Sequence, residues 1–399
     1  MSRLKVAILA DYVEERWPSM DLVAQMLVTE LQSAHCAAID AKLIRPRFIR
    51  FNSVARFAES TRTKSAFNVE RALNRYLRYP WWLRGQREQY DLFHIIDHSY
   101  SHLANYLSPA KTVITCHDLD AFKCVLDRQA EPARSAVFRA MTRHVLKGFR
   151  RAAIVTCVSR ATRDAIVAAG LLPLGRTVVI PNGVDSEMSP IADASSDREL
   201  EKILGPVESS TIEVVHVGSV EPRKRIDLLL QIFAGIQRKF RDARLIRVGG
   251  GLMPEHEEMA RSLGIIDRIV TMPFLERRVL AAVYRRGSVL LLPSDAEGFG
   301  LPIIEAMACG CPVVASDLPA LREVGGEAAR YCAVGDVTAW VRAATELLHN
   351  VRGDARRIDD RRDQAIVQAA RFSWKDYASK TADVYFALAA RAGLRPSES

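Results

Sequence analysis

Two glutamates bracket a glycine-rich string, Glu297-Gly298-Phe299-Gly300-Leu301-Pro302-Ile303-Ile304-Glu305, that follows the apolar run Val289 to Ser294. Pro302 suits the first position of a helix and Gly310 its stop, so the spacing predicts a helix over about Pro302 to Cys309. The N–H groups of Phe299, Gly300 and Leu301 would then point from its amino end toward an anion, helped by the helix dipole. Gly298 and Gly300 let a ligand approach the backbone closely. Glu305, expected in the first turn, can accept hydrogen bonds from a ribose diol. A plain turn followed by a dipole-matched acid is the competing reading of the same residues.

A second string, Gly218-Ser219-Val220-Glu221-Pro222-Arg223-Lys224, follows the run Ile212 to Ser219. Two adjacent cations at a strand's carboxyl end are placed to neutralise a leaving diphosphate, the alternative being a solvated basic turn. Arg247-Val248-Gly249-Gly250-Gly251 and Met272-Pro273-Phe274-Leu275 end two further strands, and the glycines admit either a nucleotide base or a tight turn. In the first half, Thr115-Cys116-His117-Asp118 ends a strand with two polar side chains. His94, Asp97, His98 and His102 invite a metal reading, but the chain turns at Asp97 to Ser99, so their side chains cannot share one face. Ser19 reads as an N-cap for the helix Asp21 to Gln32.

These residues need elements to position them, and the sequence supplies short β-branched runs alternating with amphipathic helical stretches, the pattern of parallel α/β sheets. Leu4 to Ala10, Leu92 to Asp97, Thr112 to Cys116, Ala153 to Ser159 and Thr177 to Asn182 form a first set of expected strands. Ile212 to Ser219, Ala243 to Gly250, Arg268 to Met272, Val289 to Ser294 and Pro312 to Ser316 form a second. The Asp- and Ser-rich segment Ser186 to Asp197 reads as the linker between two doubly wound domains. Ligands of such sheets bind beyond the carboxyl ends of the strands, where every string above lies.

At 399 residues the chain exceeds what one core usually supports, which agrees with two domains. No apolar run reaches the roughly 18 residues of a spanning helix, and Met1 to Asp11 reads as a strand rather than a leader, so a cytoplasmic protein is expected. The seven cysteines form no repeated C-x-x-C pairs and read as reduced packing residues. A net charge of +9 suits nucleic acid, anionic lipid or phosphorylated small molecules without choosing among them. Arg71 to Arg87 interleaves arginines with Tyr76, Tyr79, Trp81 and Trp82 but accompanies no nucleic-acid module. It reads either as an anionic-lipid contact or as a helix covering the core with its arginines in water.

Taken together, the strings resemble the family-4 glycosyltransferases of the GT-B fold. Glu297 and Glu305 stand at the two acids of that family's E-x7-E motif, and the loop Gly218 to Lys224 resembles its phosphate-binding loop. Val158 to Arg163, Ile180 to Asp185 and Ala320 to Val324 match further, in the family's order. The resemblance implies two Rossmann-like domains facing a central cleft: residues 1–190 on the acceptor side, 191–372 holding the donor, and a helix of about 373–399 returning to the first. It departs from the family in the first loop, where many members carry a Gly-Gly pair that Asp11 to Asp21 lacks.

The resemblance further implies a retaining transferase that moves a hexose from a nucleotide diphosphate sugar to a glycan or polyprenol-linked acceptor in polysaccharide biosynthesis. Arg223 and Lys224 would hold the donor phosphates, with Gly218, Ser219, Gly249, Gly250, Phe274 and Leu275 around donor and base. Glu297 would hold the sugar, and His117 would bond it from the other domain. His98, Ser99 and Asp118 are the expected acceptor contacts. Retention would proceed by front-face attack, with no metal, no cofactor and no nucleic-acid partner expected; a peripheral contact at the inner membrane face is the separate expectation that the Arg71 to Arg87 stretch raises. The loop Gly218 to Lys224 is similar to those of mannosyltransferases, a lean toward GDP-mannose. Two rivals are a nucleotide-sugar epimerase of the same fold and a non-catalytic sugar-nucleotide-binding subunit.

Overall fold

A computed structural model of the chain describes residues 3–50, 64–126, 134–206, 211–353 and 355–393. Two compact units emerge: residues 1–182 with 374–399, and residues 183–373. The first unit holds a six-stranded parallel sheet of β1 (Leu4–Leu9), β2 (Ile39–Ile44), β3 (Leu92–Ile95), β4 (Thr112–Cys116), β5 (Ile154–Cys157) and β6 (Thr177–Val179), in the order β2-β1-β3-β4-β5-β6. The second repeats the plan with β7 (Glu213–Val217), β8 (Arg244–Val248), β9 (Ile269–Met272), β10 (Val289–Leu292), β11 (Val313–Ser316) and β12 (Arg330–Cys332), in the order β12-β11-β10-β7-β8-β9.

Parallel sheets of this kind are covered by helices on both faces, so their inner strands are apolar on both sides. In β1, Val6 and Ile8 face the helices Pro18–Ala34 and Trp374–Arg391, while Ala7 and Leu9 face Tyr79, Leu83 and Phe149. His94 is a strut in this core: its Nδ1 bonds the Tyr385 hydroxyl at 2.6 Å and its Nε2 the Thr115 hydroxyl at 2.7 Å. That tie between sheet and terminal helix removes it from any metal set, and among the described residues no metal-binding cluster forms. In the second unit Val214, Leu245, Val289 and Leu291 pack on Leu229, Phe233 and Trp340.

The chain divides after Asn182, not at 190. The end of the expected linker is helical, because Asp193 caps the helix Ala194–Leu204 by accepting the N–H groups of Ser195 (3.0 Å) and Ser196 (3.4 Å). Ser19 is not a cap: Pro18 presets the helical φ and the helix starts one residue earlier than Ser19, with Trp17 at the N-cap. No helix among the described residues is long and apolar enough to cross a membrane. Five of the seven cysteines are buried as free thiols, with Cys36 exposed and Cys124 half-buried.

Candidate active site

Strands β7 and β10 are neighbours, so the loops leaving their carboxyl ends meet. The β7 loop makes a 3-10 turn over Pro222–Lys224 and passes through Arg225 in the left-handed region (φ 49°) before the helix Ile226–Lys239. The β10 loop brings Ser294 and Glu297 alongside. Lys224 donates through Nζ to Glu297 Oε1 at 2.6 Å, Arg223 Nη1 lies 3.5 Å from Oε2, and the Ser294 hydroxyl donates to Oε1 at 2.8 Å. A backbone bond from Asp295 N–H to the Arg223 carbonyl (2.8 Å) locks the two loops in register. Burial would push the Glu297 carboxyl up, but Lys224 and Arg223 outweigh it and hold it below the usual range. Arg223 is also paired with Glu221 at 3.0 Å.

Beside this cluster starts the helix Leu301–Ala308, one residue before the expected position, with Gly300 at its N-cap in the left-handed region (φ 94°). A side chain at Gly300 would meet Leu321 at 2.6 Å, so only glycine fits. Within the first turn Pro302 has no N–H and the Ile303 N–H donates to the Gly300 carbonyl at 2.9 Å, which leaves Leu301 and the glycine loop before it as the source of amides at this end. Phe299 contributes backbone only, its ring being buried edge-on against Phe372. Glu305 is not in the first turn. It sits one turn further in, buried, where Oε1 accepts from Arg277 Nη1 (2.9 Å) and Oε2 from the Tyr284 hydroxyl (2.9 Å).

The turn after β8 approaches the β7 loop so closely that a side chain on Gly249 would stand 2.2 Å from the Gly218 carbonyl oxygen. Gly249 and Gly250 both donate to the Met272 carbonyl (3.0 and 2.9 Å), which carries the turn to the end of β9. There Phe274 presents an exposed ring (54%) and Leu275 is half-buried. Ser219 sits in the β7 loop, its hydroxyl at 3.5 Å from the Glu221 N–H.

Sequence reasoning missed Arg247 and His216, a cross-strand pair inside this sheet. The Arg247 guanidinium is fully buried and, among the described residues, bonds only carbonyls, those of Gly218 (3.2 Å), Gly250 and Gly251 (3.5 Å). It staples the two glycine loops together. Burial without a carboxylate pulls it down to about 10. Burial, then Arg247 and Lys224, keeps His216 neutral. An arginine set between Ile246 and Val248 near the carboxyl end of a strand was the available signal.

In the first unit, adjacent β1, β3 and β4 deliver a different set. His117 follows β4, and its Nε2–H donates to the Ile96 carbonyl at 2.9 Å, leaving Nδ1 as the acceptor. Its own N–H lies 3.4 Å from His98 Nδ1, and His98 Nε2 lies 3.5 Å from Asp118 Oδ1. Asp97 accepts the Ser99 N–H (2.7 Å) and hydroxyl, and Arg75 donates to Ser99 Oγ at 2.8 Å. The Ser99 hydroxyl is therefore a brace between Asp97 and Arg75 rather than an open contact. Burial opposes charging His98, but Asp118 and Asp97 raise it. Burial, then His98, lowers His117.

Asp11, at the end of β1, was also missed. It is buried (4% exposed), and neither side-chain oxygen bonds a donor among the described residues. Burial, then the Asp97 charge, raises it well above the carboxylate range. Its position directly after the first strand was the signal.

Two family models match in tandem, one described as Glycosyltransferase Family 4 over residues 43–188 and one as Glycosyl transferases group 1 over residues 211–350. The chain belongs to the family-4 glycosyltransferases. Its GT-B architecture is shared with sucrose-phosphate synthase from Thermosynechococcus elongatus (TM-score 0.72, 20% identity, 98% of this chain and 100% of that one). Anabaena HepE, solved in complex with UDP-glucose, has a TM-score of 0.69 at 17% identity over 96% of this chain and all of that one. Among curated relatives, the D-inositol 3-phosphate glycosyltransferase of Xylanimonas cellulosilytica is 36% identical over 225 residues, 53% of this family-4 chain and 51% of the relative. The chain thus spans about half the length of that relative. The O-antigen chain mannosyltransferase B of Escherichia coli is 27% identical over 76% of this chain and 78% of that protein.

Proposed function

We propose that the chain is a retaining hexosyltransferase that takes its sugar from a nucleotide diphosphate donor and places it on a glycan or lipid-linked acceptor. One observation carries this reading: Arg223 and Lys224 from the β7 loop converge on Glu297 from the β10 loop, beside the start of the helix Leu301–Ala308. Two cations and the backbone of a glycine loop running into a helix start at one sheet edge are what a diphosphate needs, and Glu297 keeps both cations positioned. The Glu305 oxygens, each with a second lone pair, remain able to accept a ribose hydroxyl. Phe274 and the Gly249–Gly251 turn, braced by Arg247, bound the base.

In the reaction the bond from the anomeric carbon to the β-phosphate oxygen breaks as an acceptor hydroxyl adds to the same face. The proton of that hydroxyl passes to the departing phosphate oxygen. Arg223, Lys224 and the amides of the glycine loop stabilise the charge that develops there, so catalysis is positioning and electrostatics. Those two cations already do the work a divalent ion would do, and transfer is expected to survive EDTA. The His117 Nδ1 is assigned a hydrogen bond from a sugar hydroxyl. HepE is a UDP-glucose-bound neighbour and the Escherichia coli relative is a mannosyltransferase, which supports a hexose donor, with GDP-mannose as the first to try.

Thermal-shift screening against UDP-, GDP- and ADP-sugars, followed by transfer assays with the donor that binds, tests the reading. A stabilising donor whose nucleoside diphosphate is released only with acceptor present is expected. Conversion of that donor without acceptor would make the chain an epimerase. Binding without turnover of any kind would make it a non-catalytic subunit.

A further inference from the structure

One face of the first unit lies apart from the strand-end groups described above. The chain from Lys64 to Arg84 is a continuous helical run of Lys64–Leu73, a π-helical turn Asn74–Arg78, and Tyr79–Arg84. Its inner face is fixed. Tyr79 and Leu83 are fully buried, and Asn74 is locked by bonds to both backbone groups of Ile49 (2.9 and 2.8 Å) and to the Glu70 carbonyl (2.9 Å). Its outer face carries Val69 (60% exposed), Leu73 (37%), Leu77 (64%) and Trp81 (70%), each four residues after the last. On a regular helix such a row drifts by about 40° per step. The wider π turn takes part of that drift back between Leu73 and Trp81, so the four side chains keep to one face. Rotating the run to bury them would expose Tyr79, Leu83 and Asn74.

The border of this stripe is cationic. Arg78 Nε donates to the Arg47 carbonyl at 2.9 Å, which sets the exposed side chains of Arg47, Ile49 (38%) and Arg50 along one side while Phe48 between them is buried. One turn beyond Trp81, Arg84 is exposed and its guanidinium stacks over Tyr106 at 5.4 Å. There it lines a cavity of about 580 Å³ with Arg87, Lys111 and a single acid, Glu88. The acid within the stripe's own helix, Glu70, is turned inside (4% exposed). An apolar row with a tryptophan, rimmed by arginines and ending at a basic hollow, matches the boundary between acyl chains and anionic headgroups. Apolar patches exposed on a fixed surface mark contacts with a partner.

We propose that the face Val69–Leu73–Leu77–Trp81 docks the protein on an anionic lipid surface, with Trp81 at headgroup depth and Arg47, Arg50 and Arg84 against the phosphates. Docking needs neither donor nor acceptor, so it stands or falls separately from the transferase reading.

The full chain is to be sedimented with vesicles of phosphatidylglycerol and phosphatidylcholine, and with vesicles of phosphatidylcholine alone, at low and high salt. Binding to the anionic vesicles at low salt, weakened by salt and accompanied by a blue shift of Trp81 emission that Trp81→Phe abolishes, is expected. Leu77→Asp with Trp81→Asp should abolish sedimentation while far-UV circular dichroism and the donor thermal shift stay as in the wild type, since both side chains are largely exposed. Arg84→Glu should weaken binding by about fivefold or more. The proposal is overturned if the wild type stays in the supernatant with anionic vesicles at low salt, or if the double variant binds as well as the wild type. It is also overturned if the wild type is a dimer that the double variant splits and neither binds vesicles, which would assign the face to a second copy of the chain.

Discussion

The two sheets are built on one plan, yet their carboxyl edges carry opposite kinds of polarity. At the edge of β7 and β10 the charges are permanent: Arg223 and Lys224 balanced on Glu297. At the edge of β1, β3 and β4 one buried cation, Arg75, braces histidines and aspartates whose charge depends on neighbours, with His98 raised, His117 lowered and Asp11 raised well above its range. Fixed charge suits a fixed ligand charge such as a diphosphate, whereas groups able to donate or accept suit hydroxyls. The same backbone thus offers two chemistries, and the strand-end residues alone decide which.

The largest break in that contrast should come from the permanent charges. Lys224→Ala is expected to lower kcat by about 10²–10³-fold, the scale of losing one preorganised charge contact to a developing anion, and to raise the donor KM. Steady-state rates with the donor found by screening measure it. A variant within threefold of wild type would remove Lys224 from the site. Thermal unfolding of the same variant keeps the effect separate from stability, because Glu297 would be left buried with only Arg223 and Ser294.

His117→Asn should act more weakly and on a different quantity. One neutral hydrogen bond is worth about 1 kcal/mol, so a loss of about fivefold in kcat/KM is expected, with nucleoside diphosphate affinity unchanged. An equal loss in diphosphate affinity would collapse the distinction between the two edges.

The contrast also explains what could be read before the fold was known. Inner strands such as β1 and β10 were legible because burial on both faces makes them continuous apolar runs. The missed strands, β2 and β12, are the exposed edges of their sheets, where alternating and charged residues such as Asp40, Lys42 and Arg330 imitate turns. The meeting of Arg223, Lys224 and Glu297 was legible because each lies on a single short loop directly after a buried strand. The burial of Glu305 against Arg277 and Tyr284 was not, since the partners come from another helix, Arg277–Arg286. The first edge was legible only in part, because its network gathers Arg75 from one helix, Asp97 and Ser99 from one strand end and Asp118 from another.

Asp11 gives the smallest effect and the sharpest test of that edge's character. Asp97, Arg75 and Glu15 surround it, and burial with the Asp97 charge outweighs Arg75, so the folded chain favours the protonated carboxyl. The unfolded chain releases that proton near the ordinary value of 3.8. Between 3.8 and the raised folded value the folded state therefore binds more protons than the unfolded one, and stability falls as pH rises through that window. Asn has the shape of the protonated carboxyl and cannot ionise. Asp11→Asn should accordingly unfold at a higher temperature than the wild type at pH 7, with the gap closing as pH falls toward 4. Melting curves across that range measure it. A gap that widens toward pH 4 would mean that Asp11 is ionised in the folded chain, and that this edge holds fixed charge like the other.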